Sequence, residues 1–249
     1  MRITTPTLLL TLVVGVTDAR SQTTQPDLAR ATLEELLNVE ITSASRKEQR
    51  ADQAPAAVYV ITQDDIRRSG ITVLPEVFRL VPGMQVAQIN SSDWAISVRG
   101  FNDLWSNKLL VLVDGRSIFT REFSGVLWNA QDLMLEDIDR IEVIRGPGGT
   151  VWGANAVNGV INIITKSAND TKGALVRLGG GSYAGADAAV RYGGSFGNTA
   201  YRVYSQWSDH GQSESAPQVQ ANDAWNRLTN GFRTDWAQGG QAVTLEGNL

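Results

Sequence analysis

The sequence predicts two unlike parts in one chain: a small α+β domain with a mixed sheet and short helices, then antiparallel β-strands of an incomplete transmembrane β-barrel. Three observations carry this. Residues 137–166 read DIDRIEVIRGPGGTVWGANAVNGVINIITK, a strand, a glycine-rich break and a second strand. Upstream of it, helix caps and turn dipeptides punctuate short β-prone runs. Beyond Lys172 the composition shifts to glycine, tyrosine and tryptophan in segments of about ten residues with one apolar face, the length and period of a membrane-spanning β-strand.

The elements follow in order. Met1–Ala19 has Arg2, an apolar run from Leu8 to Val16, and small residues at Thr17 and Ala19, the pattern of a secretory signal peptide cut after Ala19. Thr32 and Glu35 have capping-box spacing, and Leu33, Leu36 and Leu37 give one or two helical turns an apolar face. Val39–Ser45, VEITSAS, is an isolated β-prone segment. Ala56–Ile61 reads as a strand. Thr62 and Asp65 form a second capping box, opening a helix through Arg68 that Gly70 closes. Leu74, Val77, Phe78 and Val81 recur at helical spacing until Pro82-Gly83.

Met84–Ile89 and Ala95–Arg99 are predicted strands joined through Asn90–Asp93. Leu109–Val113 and Arg116–Phe119 flank Asp114-Gly115, a tight-hairpin signal because both turn positions need positive φ. In Ile138–Arg145, Ile141 and Val143 face one way, Glu142 and Ile144 the other. Thr150–Asn158 is a compact connector. Val160–Thr165 is apolar except for Asn162, as a strand buried on both faces would be.

In the second part Ala174, Val176 and Leu178 alternate with Leu175, Arg177 and Gly179, and Ala188, Val190 and Tyr192 with Asp187, Ala189 and Arg191. Tyr201, Val203 and Trp207 alternate with Arg202, Tyr204 and Gln206, and Leu228, Phe232 and Trp236 with Arg227, Arg233 and Asp235. A fifth segment is Ala242–Leu249. Tight turns are expected at Ser182–Gly185, Gly197-Asn198 and Gln238–Gln241, with a long polar loop over Asp209–Ala224. The long loop then falls on the extracellular side and the turns at Gly197 and Gly239 on the periplasmic side. Five strands do not close a membrane barrel, so the chain is expected to be the N-terminal part of a longer protein.

Composition narrows the function. A net charge of −4 argues against nucleic acid as a partner. With no cysteine and one histidine, His210, thiolate metal sites and histidine clusters are excluded. The glycine-rich break fits neither nucleotide motif: Val151 stands where a dinucleotide fingerprint needs glycine, and no Gly-Lys-Ser/Thr run exists. Asp64 and Asp65 are sequence neighbours in a first helical turn, where the helix dipole favours acids, and form no catalytic pair. No catalytic constellation stands out.

The run IDRIEVIRGPGGTVWGANAVNGVINIITK resembles the end of the plug domain of TonB-dependent outer-membrane receptors, with Trp152 at the family's usual tyrosine. The resemblance extends through LEELLNVEITSASRK, VYVITQDDI, FRLVPGMQV, SVRGF and VLVDGRSI, over about Asp27–Lys166. It implies an N-terminal periplasmic segment over 20–50, a plug over 51–168 and barrel strands over 172–249, of about 22 in the family's whole barrel. It further implies a Gram-negative outer-membrane location, contact with outer-membrane lipid, no enzymatic activity and no cofactor. The energy-coupling partner would be TonB, pairing with a strand for which Val39, Glu40, Ile41, Thr42, Ser43, Ala44 and Ser45 are the candidates. Arg99, Glu142 and Arg145 would lock plug to barrel, with carboxylate partners expected beyond Leu249. Asn90, Trp94, Phe101, Asn102 and Trp105 would meet a small-molecule ligand, an iron-siderophore or cobalamin-like compound that carries its own iron or cobalt. An oligosaccharide ligand, or a plug module that binds without transporting, are the alternatives the resemblance leaves.

Overall fold

The computed structural model describes residues 40–41, 49–50, 57–153, 155–181, 185–216 and 219–249. The expected signal peptide, the helix at Thr32, and Val39, Thr42, Ser43, Ala44 and Ser45 lie outside the described residues. Strands β1 (Glu40–Ile41) and β2 (Gln49–Arg50) pair antiparallel. Strand β3 (Ala57–Thr62) leads into helix α1 (Gln63–Ser69) through the capping box the sequence predicts. The Thr62 hydroxyl accepts from the Asp65 N–H at 3.2 Å, and the Asp65 carboxylate accepts from the Thr62 N–H at 2.9 Å. Two otherwise orphaned helix N–H groups are thereby satisfied.

Helix α2 (Leu74–Val77) is shorter than its apolar spacing suggests, since Phe78–Leu80 tightens into a 3₁₀ turn ahead of Pro82. Strands β4 (Met84–Gln88) and β5 (Trp94–Val98) form a hairpin of their own, Met84 opposite Val98 and Gln88 opposite Trp94. Strand β6 (Leu109–Val113) turns back as β7 (Arg116–Ser117), two residues rather than the expected four. Asp114 and Gly115 have φ of 47° and 78°, both positive as the turn demands. Strand β8 (Ile138–Arg145), a single helical turn α3 (Gly149–Trp152) and strand β9 (Gly159–Thr165) complete the domain.

Its main sheet has the order β3-β8-β9-β6-β7, with β6 and β9 parallel and every other pair antiparallel. The period of two divides each strand between two cores. Leu109, Val111 and Val113 join Ile61, Val77, Phe78, Ile141, Val143, Ile161 and Ile163 on one face. Leu110 and Leu112 join Ile144, Val160 and Ala156 on the other. Phe78 and Trp128 meet edge to face at 5.2 Å in the larger core. Each such fully buried side chain is worth about 1.5–3 kcal/mol over exposure, which is what fixes these strands in the domain's centre.

A 3₁₀ turn at Ala168–Thr171 leads to the second sheet. This contains β10 (Gly173–Gly181), β11 (Gly185–Phe196) and β12 (Thr199–His210). A small hairpin follows, β13 (Glu214–Ala216) with β14 (Val219–Gln220), inside what the sequence presents as one long loop. Strands β15 (Trp225–Gln238) and β16 (Gln241–Asn248) close the described chain. The order is β10-β11-β12-β15-β16, antiparallel throughout. Val176, Leu178, Val190, Tyr192, Val203, Leu228 and Phe232 are exposed on the outer face. Arg177, Arg191, Arg202, Gln206 and Thr229 lie on the inner face, against the first domain. Gly193 is required by close approach, since a Cβ there would stand 2.2 Å from the Thr171 carbonyl oxygen.

Candidate functional site

The inner face of the five-stranded sheet meets the α+β domain through charged and polar contacts. Asp137, at the entry to β8, is 3% exposed and faces two arginines, Arg191 of β11 and Arg202 of β12. Arg191 donates to Asp137 Oδ1, and Arg202 Nε stands 3.2 Å from Oδ2. Arg202 also donates to the Lys166 carbonyl at 2.9 Å. Lys166 itself reaches the Glu136 carbonyl at 2.9 Å, and burial lowers its amine pKa.

Two further contacts flank this centre. Arg233 of β15 donates to the Thr165 hydroxyl at 2.8 Å and lies 3.4 Å from the Asp114 carboxylate. Asp114 in turn accepts from the Thr165 N–H and hydroxyl, both at 2.8 Å, so the β6–β7 turn is tied to the end of β9. Asp235 accepts from the Ala168 N–H at 2.6 Å. On the other side Asp132 accepts from Gln206 Nε2 at 2.6 Å and from the Thr229 hydroxyl at 3.1 Å. Burial raises its carboxyl above the usual range, with the Thr229 bond opposing. Arg177 Nε stands 3.4 Å from both Glu136 and Asp187.

A separate contact joins the end of the β4–β5 hairpin to the far end of β15. The Ser91 N–H donates to Asp223 Oδ2 at 2.8 Å, its hydroxyl donates to the Asp223 carbonyl, and its own carbonyl accepts from Trp225 Nε1 at 2.9 Å. Lower down, a cleft lined by Arg116, Gln131, Tyr204, Arg233 and Glu246 opens between β7 and the sheet.

The residues singled out from the sequence fall elsewhere. Glu142 is fully buried and accepts from Arg140 Nε at 2.9 Å. Arg145 donates to the Pro82 carbonyl at 2.9 Å, and the Arg99 guanidinium lies over Gly146. Glu142 and Arg145 point to opposite faces of β8 because their spacing is odd. Trp94 is 6% exposed and packs in the larger core, so its ring is not presented to solvent. Asn90 is committed to its own loop, its carbonyl accepting from the Ser92 and Asp93 N–H groups at 2.9 and 2.7 Å. Phe101, at φ 57°, and Trp105 are 75% and 57% exposed, and Trp105 meets Phe123 edge to face at 4.8 Å. They leave the end of the hairpin opposite to Asn90, roughly 13 Å away at 3.3 Å per strand residue. Glu40 and Ile41 of the expected TonB strand pair with Arg50 and Gln49.

The residues that do form the interface were visible only as the polar half of an alternation. One signal was available: Arg177, Arg191, Arg202, Arg227 and Arg233 all occupy inward rows, while Asp132, Glu136, Asp137 and Asp139 crowd one segment of the first domain.

Such an arrangement, a folded domain held against the polar face of an amphipathic antiparallel sheet whose other face is apolar, is that of an incomplete transmembrane barrel with an internal stopper. Residues 50–160 match the family described as TonB-dependent Receptor Plug Domain. A vitamin B12 transporter, BtuB, of Vibrio vulnificus (strain CMCP6) is 37% identical over 160 residues, 64% of this chain and 25% of that protein. A BtuB of Vibrio cholerae is 38% identical over 144 residues, 57% of this chain and 23% of that one. Among solved structures, the ferripyoverdine receptor of the outer membrane of Pseudomonas aeruginosa superposes with a TM-score of 0.65 at 19% identity, covering 84% of this chain and 27% of that one. The ferric yersiniabactin uptake receptor FyuA of Yersinia pestis gives 0.64 at 20% identity, covering 83% and 33%. In sequence and fold the chain is similar to the TonB-dependent receptors of the Gram-negative outer membrane, and its α+β domain corresponds to their plug. The chain spans about a quarter of the length of the curated relatives it matches.

Proposed function

We propose that this chain supplies the plug and opening wall strands of a TonB-dependent importer for a large, scarce ligand. The observation that carries this reading is the two-sided sheet: apolar rows outside, and inside a polar lining whose arginines seat the plug on Asp137, Asp114 and Glu136. A plug seated by a small number of ion pairs and hydrogen bonds is held at discrete contacts that can be broken and re-formed as it is displaced and reseated. TonB is the proposed partner, taking up a strand within Val39–Ser45 and drawing on the plug from the periplasm.

Arg99, Glu142 and Arg145 remain the proposed lock toward wall strands facing the other end of β8. Arg145 is seven residues along β8 from Ile138, roughly 23 Å from the end anchored beside Asp137. The ligand-contact set is proposed as Phe101, Asn102 and Trp105, with Asn90 and Trp94 shaping the hairpin that carries them. A cobalamin is the first ligand to test, because the BtuB relatives are 37% and 38% identical; an iron-siderophore complex is the second. The metal travels as cargo in either case.

The experiment is uptake of labelled cyanocobalamin and of a ferric siderophore by cells expressing the full-length receptor. It is run with and without TonB, and with Val39–Ser45 deleted. Accumulation of one ligand that disappears in both altered backgrounds, while surface binding persists, is the expected result. TonB-independent accumulation, or no binding of any large ligand, would overturn the proposal.

A further inference from the structure

Backbone strain in the plug concentrates beside its exposed aromatic residues. Among the described residues five that are not glycine have positive φ, and three of them, Arg99 (60°), Phe101 (57°) and Ser124 (57°), flank Phe101 and the Trp105–Phe123 ring pair. Gly100 lies at 93°, so Arg99, Gly100 and Phe101 are left-handed in succession. Residues with a side chain adopt that region singly and at a cost, because Cβ crowds the following carbonyl oxygen. The run turns the chain off the line of β5, which is buried along all five residues, and leaves the Phe101 ring largely exposed. Neither the strain nor the exposed ring serves the plug's own stability, and strain that the surroundings hold in place marks functional sites.

Two buried side chains hold the run. The Gly100 carbonyl accepts from the Ser97 hydroxyl and from Asn158 Nδ2 at 3.3 Å. Asn158 is itself fixed on both sides: its N–H donates to the Lys108 carbonyl at 2.8 Å, and its carbonyl accepts from the Gly146 N–H at 2.9 Å. The Arg99 guanidinium covers Gly146, where a Cβ would stand 3.6 Å from Nη1. The run is thereby pinned to the end of β5, the approach to β6 and the exit of β8. Resting on the reading of Phe101, Asn102 and Trp105 as ligand contacts, we propose that Ser97 and Asn158 are positioning residues for that site. By binding the Gly100 carbonyl they keep Arg99, Gly100 and Phe101 left-handed, and so keep the Phe101 ring outside the plug, where an apolar or π face of a ligand can pack on it.

Glycine and alanine at position 101 report the strain by the sign of their difference. In an ordinary conformation alanine is the more stable, because glycine loses more freedom on folding; in a left-handed one glycine is favoured. Phe101→Gly and Phe101→Ala are made in the full-length receptor. Hydrogen exchange at the Ile161 and Ile163 amides of β9, in the larger core, reads unfolding of the plug. The glycine variant should exchange about fivefold more slowly than the alanine variant. Adding Ser97→Ala and Asn158→Ala to each should abolish or reverse that preference, since the run is then free to relax.

No advantage for Phe101→Gly, or an advantage that survives both added alanines, would overturn the proposal. Should the paired alanines unfold the plug, Ser97→Ala alone is read: a reduced preference supports the assignment and an undiminished one overturns it. Surface binding of cyanocobalamin and of a ferric siderophore supplies the functional arm. Whichever probe the parent binds should bind the Ser97→Ala, Asn158→Ala receptor about tenfold more weakly, although Phe101 is still present; unchanged binding would overturn the positioning role. A parent that binds neither probe counts against the importer reading, and the comparison of glycine with alanine, which uses no ligand, then decides the role of Ser97 and Asn158 alone.

Discussion

Replacing Asp137 by asparagine keeps the side chain's size and removes one charge from between two arginines. Arg191 and Arg202 are 9% and 4% exposed, so solvent screens neither, and both are left as uncompensated cations at the plug–wall interface. Breaking a buried pair in this way costs about 3–5 kcal/mol. Because a single carboxylate serves both arginines, the figure is not doubled. At about 1.4 kcal/mol per decade it weakens plug seating by roughly two to four powers of ten. The assay is ion conductance of the full-length receptor in a planar bilayer as urea is raised, which reads the plug leaving an intact barrel. D137N should open the pore at markedly lower urea than the parent. Removing all three charges together, as Asp137→Leu with Arg191→Met and Arg202→Met, should cost much less, since no ion is left stranded. A D137N receptor opening at the parental urea concentration would refute the idea that this ion group seats the plug.

Other consequences are smaller in scale. Thr62→Ala removes the N-cap acceptor of α1 and should destabilise the plug by about 1 kcal/mol, seen as faster hydrogen exchange at the Asp65 amide with the wall strands unaffected. Hydrogen bonds from the Ser213 hydroxyl and the Ser91 N–H hold the Asp223 carboxyl down at about 2, from a usual 3.8. A depressed carboxylate pKa contributes stability that is complete above the unfolded value and is lost as pH falls through the folded one. A nitroxide at Gln212→Cys, in a chain with no native cysteine, should therefore keep one lineshape from pH 8 to about 5 and become mobile only between about 4 and 2. Mobilisation beginning near pH 6 would contradict this assignment.

Local structure was legible in the sequence wherever a few adjacent residues decide it. The Thr62/Asp65 box, the left-handed Gly70 cap and the Asp114-Gly115 turn each follow from chemistry within four residues, and each appears where it was expected. The alternation along β10, β11, β12 and β15 was equally plain, because a sheet with lipid on one side and water and protein on the other forces a period of two. Extents were less legible. The second helix stops at Val77 and β7 at Ser117, where tertiary packing rather than spacing sets the end.

Contacts between parts were the least legible. Arg99 and Arg145 drew notice because they sit in recognisable motifs, whereas Asp137 and Arg202 meet across 65 residues of sequence and belong to no motif. Only the charge complementarity between an acidic plug segment and an arginine-bearing wall pointed to them. Ser91 offered no signal at all, since its importance lies in three groups reaching one loop.

The two-sided wall is the premise beneath every function argued above, and single-cysteine scanning tests it most directly. Nitroxides placed one at a time from Tyr201 to Trp207 and from Leu228 to Arg233 in the full-length receptor can be probed with a lipid-soluble and a water-soluble relaxant. Positions 201, 203 and 207, with 228 and 232, should relax with the lipid-soluble reagent. Positions 202, 204 and 206, with 229 and 233, should be shielded from it. Loss of that period of two, with both rows equally open to water, would contradict a membrane wall enclosing a plug.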